Sequence, residues 1–343
     1  MIETLRDTCR QLLRDRKVDV VIGYGQYPVG QASSPSEVAR ASSPSDVARA
    51  SSPSEVARAS SPSDVAQASS PSDVARASSP CSSTQARCPG SDADGPVFPV
   101  FIQRPEDVDQ LVWNNRCYAN LSVYLKLPEI RALGRLAIVV KGCDQRALVV
   151  LEKESQLDRS QVYVIGMACD SMSRPKCETC DVHEPRGTDV VIGKAASNTT
   201  AISADQRYAA INAFLTRSSS ERLAYWRQEL ARCVKCYACR QICPMCYCPR
   251  CIVDKNRPQV ISTSATLKGN FAWHITRAFH LAARCVGCEE CTRVCPMGID
   301  LRLLNLSLAQ AAEENFAFRA GDDLQAESVV GSYALQDKES FIQ

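Results

Sequence analysis

No stretch of the 343 residues approaches the roughly twenty consecutive apolar residues that a membrane-spanning helix needs. The first residues, Met1, Ile2, Glu3, Thr4, Leu5, Arg6 and Asp7, show no apolar signal core. Charge of one sign is also missing: 40 Lys and Arg stand against 38 Asp and Glu, a net charge of +2, so no basic surface for nucleic acid is suggested. These absences argue against a membrane span and a nucleic-acid partner, and make the cytoplasm the expected location. The length allows two or three domains, and a hydrophobic content of 45% is ordinary for a globular chain. Protein partners and small redox proteins remain open.

What the chain has in excess is cysteine, nineteen in all. Cys233, Cys236, Cys239 and Cys243 precede Pro244, and Cys285, Cys288, Cys291 and Cys295 precede Pro296, so both runs read C-x2-C-x2-C-x3-C-P. A tight turn must aim three thiolates at three corners of one small cube, after which the proline turns the chain away. In two-cluster ferredoxins with this spacing, the first three cysteines of a run hold one 4Fe-4S cluster and the fourth ligates the other. The expected sets are therefore Cys233, Cys236, Cys239 and Cys295 for one cluster, and Cys285, Cys288, Cys291 and Cys243 for its partner. Zinc is the competing reading, but zinc sites usually space cysteines as separated pairs. Disulfides are a weaker one, since no route to an oxidising compartment is visible.

From Ala32 a nonapeptide, Ala-Ser-Ser-Pro-Ser-(Glu/Asp)-Val-Ala-(Arg/Gln), recurs five times to Arg76 and then decays toward Gly95. It lacks the glycines and aspartates of calcium-binding nonapeptide repeats. Each copy holds a capping-box pattern such as Ser34 to Glu37, but one valine per nine residues cannot offset backbone entropy. The segment 32–95 reads as a disordered insertion, with a partner-docking arm as the alternative. Cys81 and Cys88, at its end, receive no role.

Around this insertion lie the pieces of an α/β domain. Residues 2–16 have helical periodicity; 18–22, 97–102, 136–140, 162–165 and 189–192 read as strands, and 106–113, 121–125 and 144–154 as helical. Loops after the carboxyl ends of parallel strands build sites, so Cys143 and Cys169 fall on one edge, Cys143 at a helix N-terminus that favours a thiolate. Cys177 and Cys180 follow in a polar loop. From the residues alone, a third cluster and a pair of buried thiols beside a lone zinc half-site are equal readings.

The order VDVVIG (18–23), residues 99–113, LAIVVKGC (136–143), VYVIGMAC (162–169), CETC (177–180) and DVVIG (189–193) resembles the beta subunit of coenzyme F-420-reducing hydrogenase and the related formate dehydrogenases. The resemblance covers roughly residues 5–30 and 97–195. It implies that Cys143, Cys169, Cys177 and Cys180 bind one 4Fe-4S cluster, beside FAD in that family. Hydrogenase-type members carry a glycine-rich stretch ahead of the first helix, whereas this chain begins Met1, Ile2, Glu3, Thr4. Part of the flavin cradle is therefore missing, and FAD is kept as a possible cofactor.

Ser218 to Glu221 reads as a capping box opening a helix through Leu223, Trp226 and Leu230 into Cys233, packed with 209–215. Cys246, Cys248 and Cys251 could take zinc or a further cluster with His274 or His280, although both histidines read as packed core residues and His183 as exposed. A helix over 301–318, capped by Asp300, is expected to cover the clusters, and residues after Gly321 to be weakly ordered.

The expected architecture is thus an α/β domain with a mostly parallel sheet (1–31 and 96–200), a helical connector (201–232), a helical, ferredoxin-like dicluster domain (233–318) and a tail (319–343). The expected function is an iron-sulfur electron-transfer subunit of a multi-subunit oxidoreductase. It relays electrons through about three 4Fe-4S clusters between a hydrogenase, formate dehydrogenase or heterodisulfide-reductase-like partner and another carrier. No catalytic acid, base or nucleophile is demanded. The alternatives are an FAD enzyme acting on a deazaflavin or nicotinamide coenzyme, and a zinc-stabilised binding module.

Overall fold

Apolar residues of the first helix recur at one face, Leu5, Cys9, Leu12 and Leu13, and all four are buried. This is helix α1, Ile2–Arg14, in a computed structural model of the chain. The structure describes residues 1–26, 96–169, 172, 174–195, 202–255, 258, 262 and 264–329; the repeat segment, with Cys81 and Cys88, lies outside them. Each fully buried leucine contributes about 1.5–3 kcal/mol, which fixes α1 against the sheet.

Five strands form one sheet: β1 (Val20–Gln26), β2 (Val97–Ile102), β3 (Leu136–Val140), β4 (Val162–Met167) and β5 (Val190–Ile192). Their spatial order is β2-β1-β3-β4-β5. The last four are parallel, with Val20 opposite Leu136, Leu136 opposite Val162 and Ile165 opposite Val190, whereas β2 runs antiparallel on the edge. All five residues of β3 are buried, as a strand covered on both faces requires. Strand β1 continues four residues past Ile22. Glycine allows this: a Cβ on Gly23 would meet Leu111 Cδ2 at 2.4 Å, and one on Gly25 would meet Val100 Cγ1 at the same distance.

That close approach also explains why residues 106–113 do not form the expected helix. A 3-10 turn over Pro105–Gln110 ends because Leu111 must become extended to bridge Gly25, and the N–H of Val112 then donates to Tyr24 O at 2.8 Å. Residues 121–125 likewise adopt a 3-10 turn, Leu121–Lys126, started by the side chain of Asn120. A single turn, α2 (Pro128–Arg131), precedes β3, and α3 (Gly142–Lys153) follows it.

Beyond β5 the described residues contain helices and no strand: α4 (Ala204–Arg207), α5 (Ala209–Leu215), α6 (Ser219–Ala231), α7 (Ala238–Gln241), α8 (Leu267–Leu281), α9 (Glu290–Arg293) and α10 (Leu301–Phe316). Ser218 and Glu221 make the reciprocal capping box of α6, and Asp300 caps α10. Phe214 of α5 stacks on Tyr225 and Trp226 of α6, with centroids 5.1 and 5.8 Å apart. Residues 322–329 pack rather than trailing away, and residues 330–343 of the expected tail lie outside the described residues. Arg146 pairs with Asp322 at 2.9 Å, Lys153 Nζ donates to the carbonyls of Asp323 and Ala326, and Ala326 and Val329 rest on the apolar cluster under α3. No described helix is long and apolar enough to cross a membrane.

Candidate metal centres

The two cysteine runs share one backbone design. In the first, Lys235 and Tyr237 are left-handed, at φ 59° and 60°, and Cys239 sits in α7; in the second, Gly287 and Glu289 take φ 68° and 65°, and Cys291 sits in α9. A left-handed non-glycine residue costs roughly 1–2 kcal/mol, so three of them in two short loops mark a conformation imposed by the site. The alternation turns backbone N–H groups inward as an anion-binding concavity. Lys235 N, for example, donates to Cys233 Sγ at 3.4 Å.

Cys233, Cys236, Cys239 and Cys295 line one cavity of about 370 Å³, and Cys243, Cys285, Cys288 and Cys291 line a second of about 400 Å³. The fourth cysteine of each run is thereby carried to the cavity of the other. Among the described residues no three His, Cys, Asp or Glu side chains are grouped as ligands of a single metal ion. Four thiols spread around a cavity are instead the donor set of a cube with iron at alternate corners. Burial lifts Cys239 to about 11 and Cys291 to about 12.

Helix α8 lays a buried polar face on these runs. Asn270 Nδ2 donates to Cys233 O at 2.7 Å, and His274 Nε2 lies 3.3 Å from Cys233 Sγ. Arg277 Nη2 donates to Cys239 O at 3.0 Å. Burial and, secondarily, Arg277 and Lys235 hold His274 down at about 3, so the ring is neutral. Helix α10 adds Asn305, whose Nδ2 is 3.6 Å from Cys291 Sγ, and so covers the second cavity. The thiols of Cys243 and Cys246 hydrogen-bond each other, while Cys248 is exposed and Cys251 half-buried. His274 is turned to Cys233, and His280 is exposed on the outer side of α8, contrary to its reading as a core residue. The extra cysteines thus gain no histidine.

The remaining quartet gathers on the α/β domain. Cys143 lies in the first turn of α3, Cys169 follows β4, and Cys177 and Cys180 flank the end of a 3-10 turn, Pro175–Thr179. A Cβ on Gly142 would come within 2.5 Å of Val182 O, so only glycine lets α3 start this close to the Cys180 loop. His183, expected to be exposed, is half-buried, with Nδ1 and Nε2 each 2.9 Å from the carbonyls of Cys169 and Cys180. Beneath lies a buried network absent from the sequence reading. Lys141 Nζ is 2.5 Å from Asp144 Oδ2, and it donates to Tyr24 Oη at 2.6 Å and Ala119 O at 3.0 Å. Cys143, Cys169, Cys177 and Cys180 line a third cavity of about 980 Å³, whose wall includes Cys285, Val286 and Gly287. Burial lifts Cys143 to about 11 and Cys169 to about 12.

Side chains tie the α/β domain to the helical region. Arg174 Nη2 pairs at 2.8 Å with Glu289, which stands between Cys288 and Cys291. Lys126 Nζ donates to Gln241 O and Cys243 O, both at 2.8 Å. Asp181 is gripped by Arg319 at 2.7 Å and Arg207 at 3.2 Å.

Residues 232–300 match the 4Fe-4S dicluster domain family. The chain is 34% identical over 80 residues to the F420-dependent formate dehydrogenase subunit beta of Methanocaldococcus jannaschii, a match that spans 23% of this chain and only 20% of that protein. A longer alignment, 20% identical over 331 residues, joins it to the F420-dependent formate dehydrogenase 1 subunit beta of Methanococcus maripaludis and covers 68% of this chain and 84% of that protein. The mixed, mostly parallel sheet and the helical region with its paired cysteine runs accompany a similarity to F420-dependent formate dehydrogenase beta subunits, and residues 232–300 form a 4Fe-4S dicluster domain.

Proposed function

We propose that this chain is the electron-relay subunit of a multi-subunit oxidoreductase, holding three 4Fe-4S clusters in a row. Cys143, Cys169, Cys177 and Cys180 hold the first, Cys243, Cys285, Cys288 and Cys291 the middle one, and Cys233, Cys236, Cys239 and Cys295 the last. The observation that carries this reading is the wall common to the first and middle cavities, Cys285, Val286 and Gly287, together with the exchange of Cys243 and Cys295 between the two runs. Clusters supply one-electron transfer with little nuclear movement. The chain's own part is to hold twelve thiolates at fixed positions, keep water from the inner ones, and set potentials through hydrogen bonds to sulfur such as those from Lys235 N and Asn305.

The partner on one side is a hydrogenase, a formate dehydrogenase or a heterodisulfide-reductase-like flavoprotein, in keeping with the beta-subunit relatives.

One observation favours a second reading, an FAD enzyme acting on a deazaflavin or nicotinamide coenzyme. The cavity at Cys143 has more than twice the volume of the other two, and Arg302, whose Nε is buried without a partner, faces it beside Tyr118 and Phe318. A cation and two aromatic rings are a suitable lining for an anionic, aromatic cofactor. Anaerobic purification, with the absorption spectrum, iron and sulfide counts and acid release of flavin, separates the readings. Brown protein without flavin supports the relay, a yellow acid extract supports the enzyme, and colourless protein contradicts both.

A further inference from the structure

Four cationic side chains are buried among the described residues: Lys141, Arg146, Lys176 and Arg277, at 1%, 8%, 9% and 4% exposure. A buried cation costs several kcal/mol unless an anion lies against it. Lys141 has Asp144 at 2.5 Å and Arg146 has Asp322 at 2.9 Å. Lys176 and Arg277 have no carboxylate at ion-pair distance; Lys176 meets the Cys143 thiol, and Arg277 meets the Cys239 carbonyl, the Cys246 thiol and the Trp273 ring.

Lys176 Nζ donates to Cys143 Sγ at 3.7 Å and lines the cavity whose wall also includes Cys285, so it stands between two different quartets; Asp144, the nearby carboxylate, is already paired with Lys141. Arg277 donates to Cys239 O and to the thiol of Cys246, which hydrogen-bonds Cys243, and it also faces Cys291. Its Nε is buried without a partner. Each of the two gaps between neighbouring quartets therefore contains one buried cation lacking a protein counter-charge. A cube held by four thiolates is a net anion, and it gains a further negative charge on reduction.

We propose that Lys176 and Arg277 are the charge-compensating, potential-setting residues of the relay, Lys176 for the gap between the Cys143 and Cys285 quartets and Arg277 for the gap between the Cys285 and Cys233 quartets. This inference rests on the three-cluster reading. Each cation favours the reduced state of the centre on either side, so the two neighbours rise in potential together and an electron passes between them without a large step. The role also accounts for Cys246, which extends the reach of Arg277 to Cys243.

The test is an EPR-monitored redox titration of the anaerobically purified full chain, with iron counted, for Lys176→Met, Arg277→Gln and the conservative Lys176→Arg and Arg277→Lys. In Lys176→Met the centres of the Cys143 and Cys285 quartets should shift to more negative potential while that of the Cys233 quartet stays. In Arg277→Gln the Cys285 and Cys233 centres should shift while the Cys143 centre stays, and the conservative variants should return toward the wild type. Loss of iron in a neutral variant that its charged counterpart retains supports compensation as a condition for assembly. Unchanged potentials at full iron content, equal shifts of all three centres, or equal iron loss in neutral and charged variants would overturn the inference while leaving the relay intact. Wild-type protein holding only about eight irons, by four per cube, would overturn the three-cluster reading and the Lys176 assignment with it, and the Arg277 titration would still decide its own half.

Discussion

Asp144→Ala is expected to be among the most damaging single changes outside the cysteines. Asp144 is fully buried, its carboxylate lies 2.5 Å from Lys141 Nζ, and it also accepts from the backbone N–H of Lys141 at 3.3 Å, closing the start of α3. Removing one partner of a buried ion pair costs about 3–5 kcal/mol, because the other charge is left uncompensated. At about 2–4 °C per kcal/mol for a domain of this size, the midpoint of thermal unfolding should fall by about 6–20 °C. Cys143 is flanked by this pair, so iron at its quartet should fall as well. The double variant Lys141→Met, Asp144→Leu removes both charges and fills the space; it should recover most of the stability, since Tyr24 Oη keeps its bond to Ala119 O at 2.5 Å. Circular dichroism melts under anaerobic conditions measure both. A single variant within about 1 kcal/mol of wild type, or a double variant as unstable as the single, would refute the reasoning.

Other expectations follow from single contacts. Gly142→Ala should displace the Cys180 loop, because the new Cβ would sit 2.5 Å from Val182 O, and iron analysis should show loss of one cluster's worth only. His183→Ala should do the same through Cys169 and Cys180, whose carbonyls its ring joins, with the two dicluster EPR signals kept. Cys243→Ser should deplete the centre of the Cys285 run, not that of its own run, because its thiol lines the other cavity; selective loss of the Cys233 centre would contradict the crossed grouping.

Much of this was legible in the cysteine spacing and in short apolar runs. Strands β2 and β3, the Ser218 capping box and the Asp300 cap carry local signals that tertiary structure leaves intact. Residues 106–113 failed because their helical periodicity competes with the extended path that Leu111 takes to fill the space above Gly23, a long-range contact with no local mark. His183 and His280 were misread because a lone histidine carries no sign of which way its helix or loop will turn it. His183 does stand three residues beyond the C-x2-C pair, the one local signal that could have found it. Nothing in the sequence marks Lys176 or Arg277; only their burial without a carboxylate at ion-pair distance sets them apart.

The central claim is that three cysteine quartets each hold one cluster. Its most direct test is the iron content of the anaerobically purified full chain beside Cys143→Ser, Cys236→Ser and Cys288→Ser. The account predicts about twelve irons per wild-type chain and about eight in each variant, one cube being lost each time. About eight irons in the wild type, with none lost on Cys143→Ser, would contradict it.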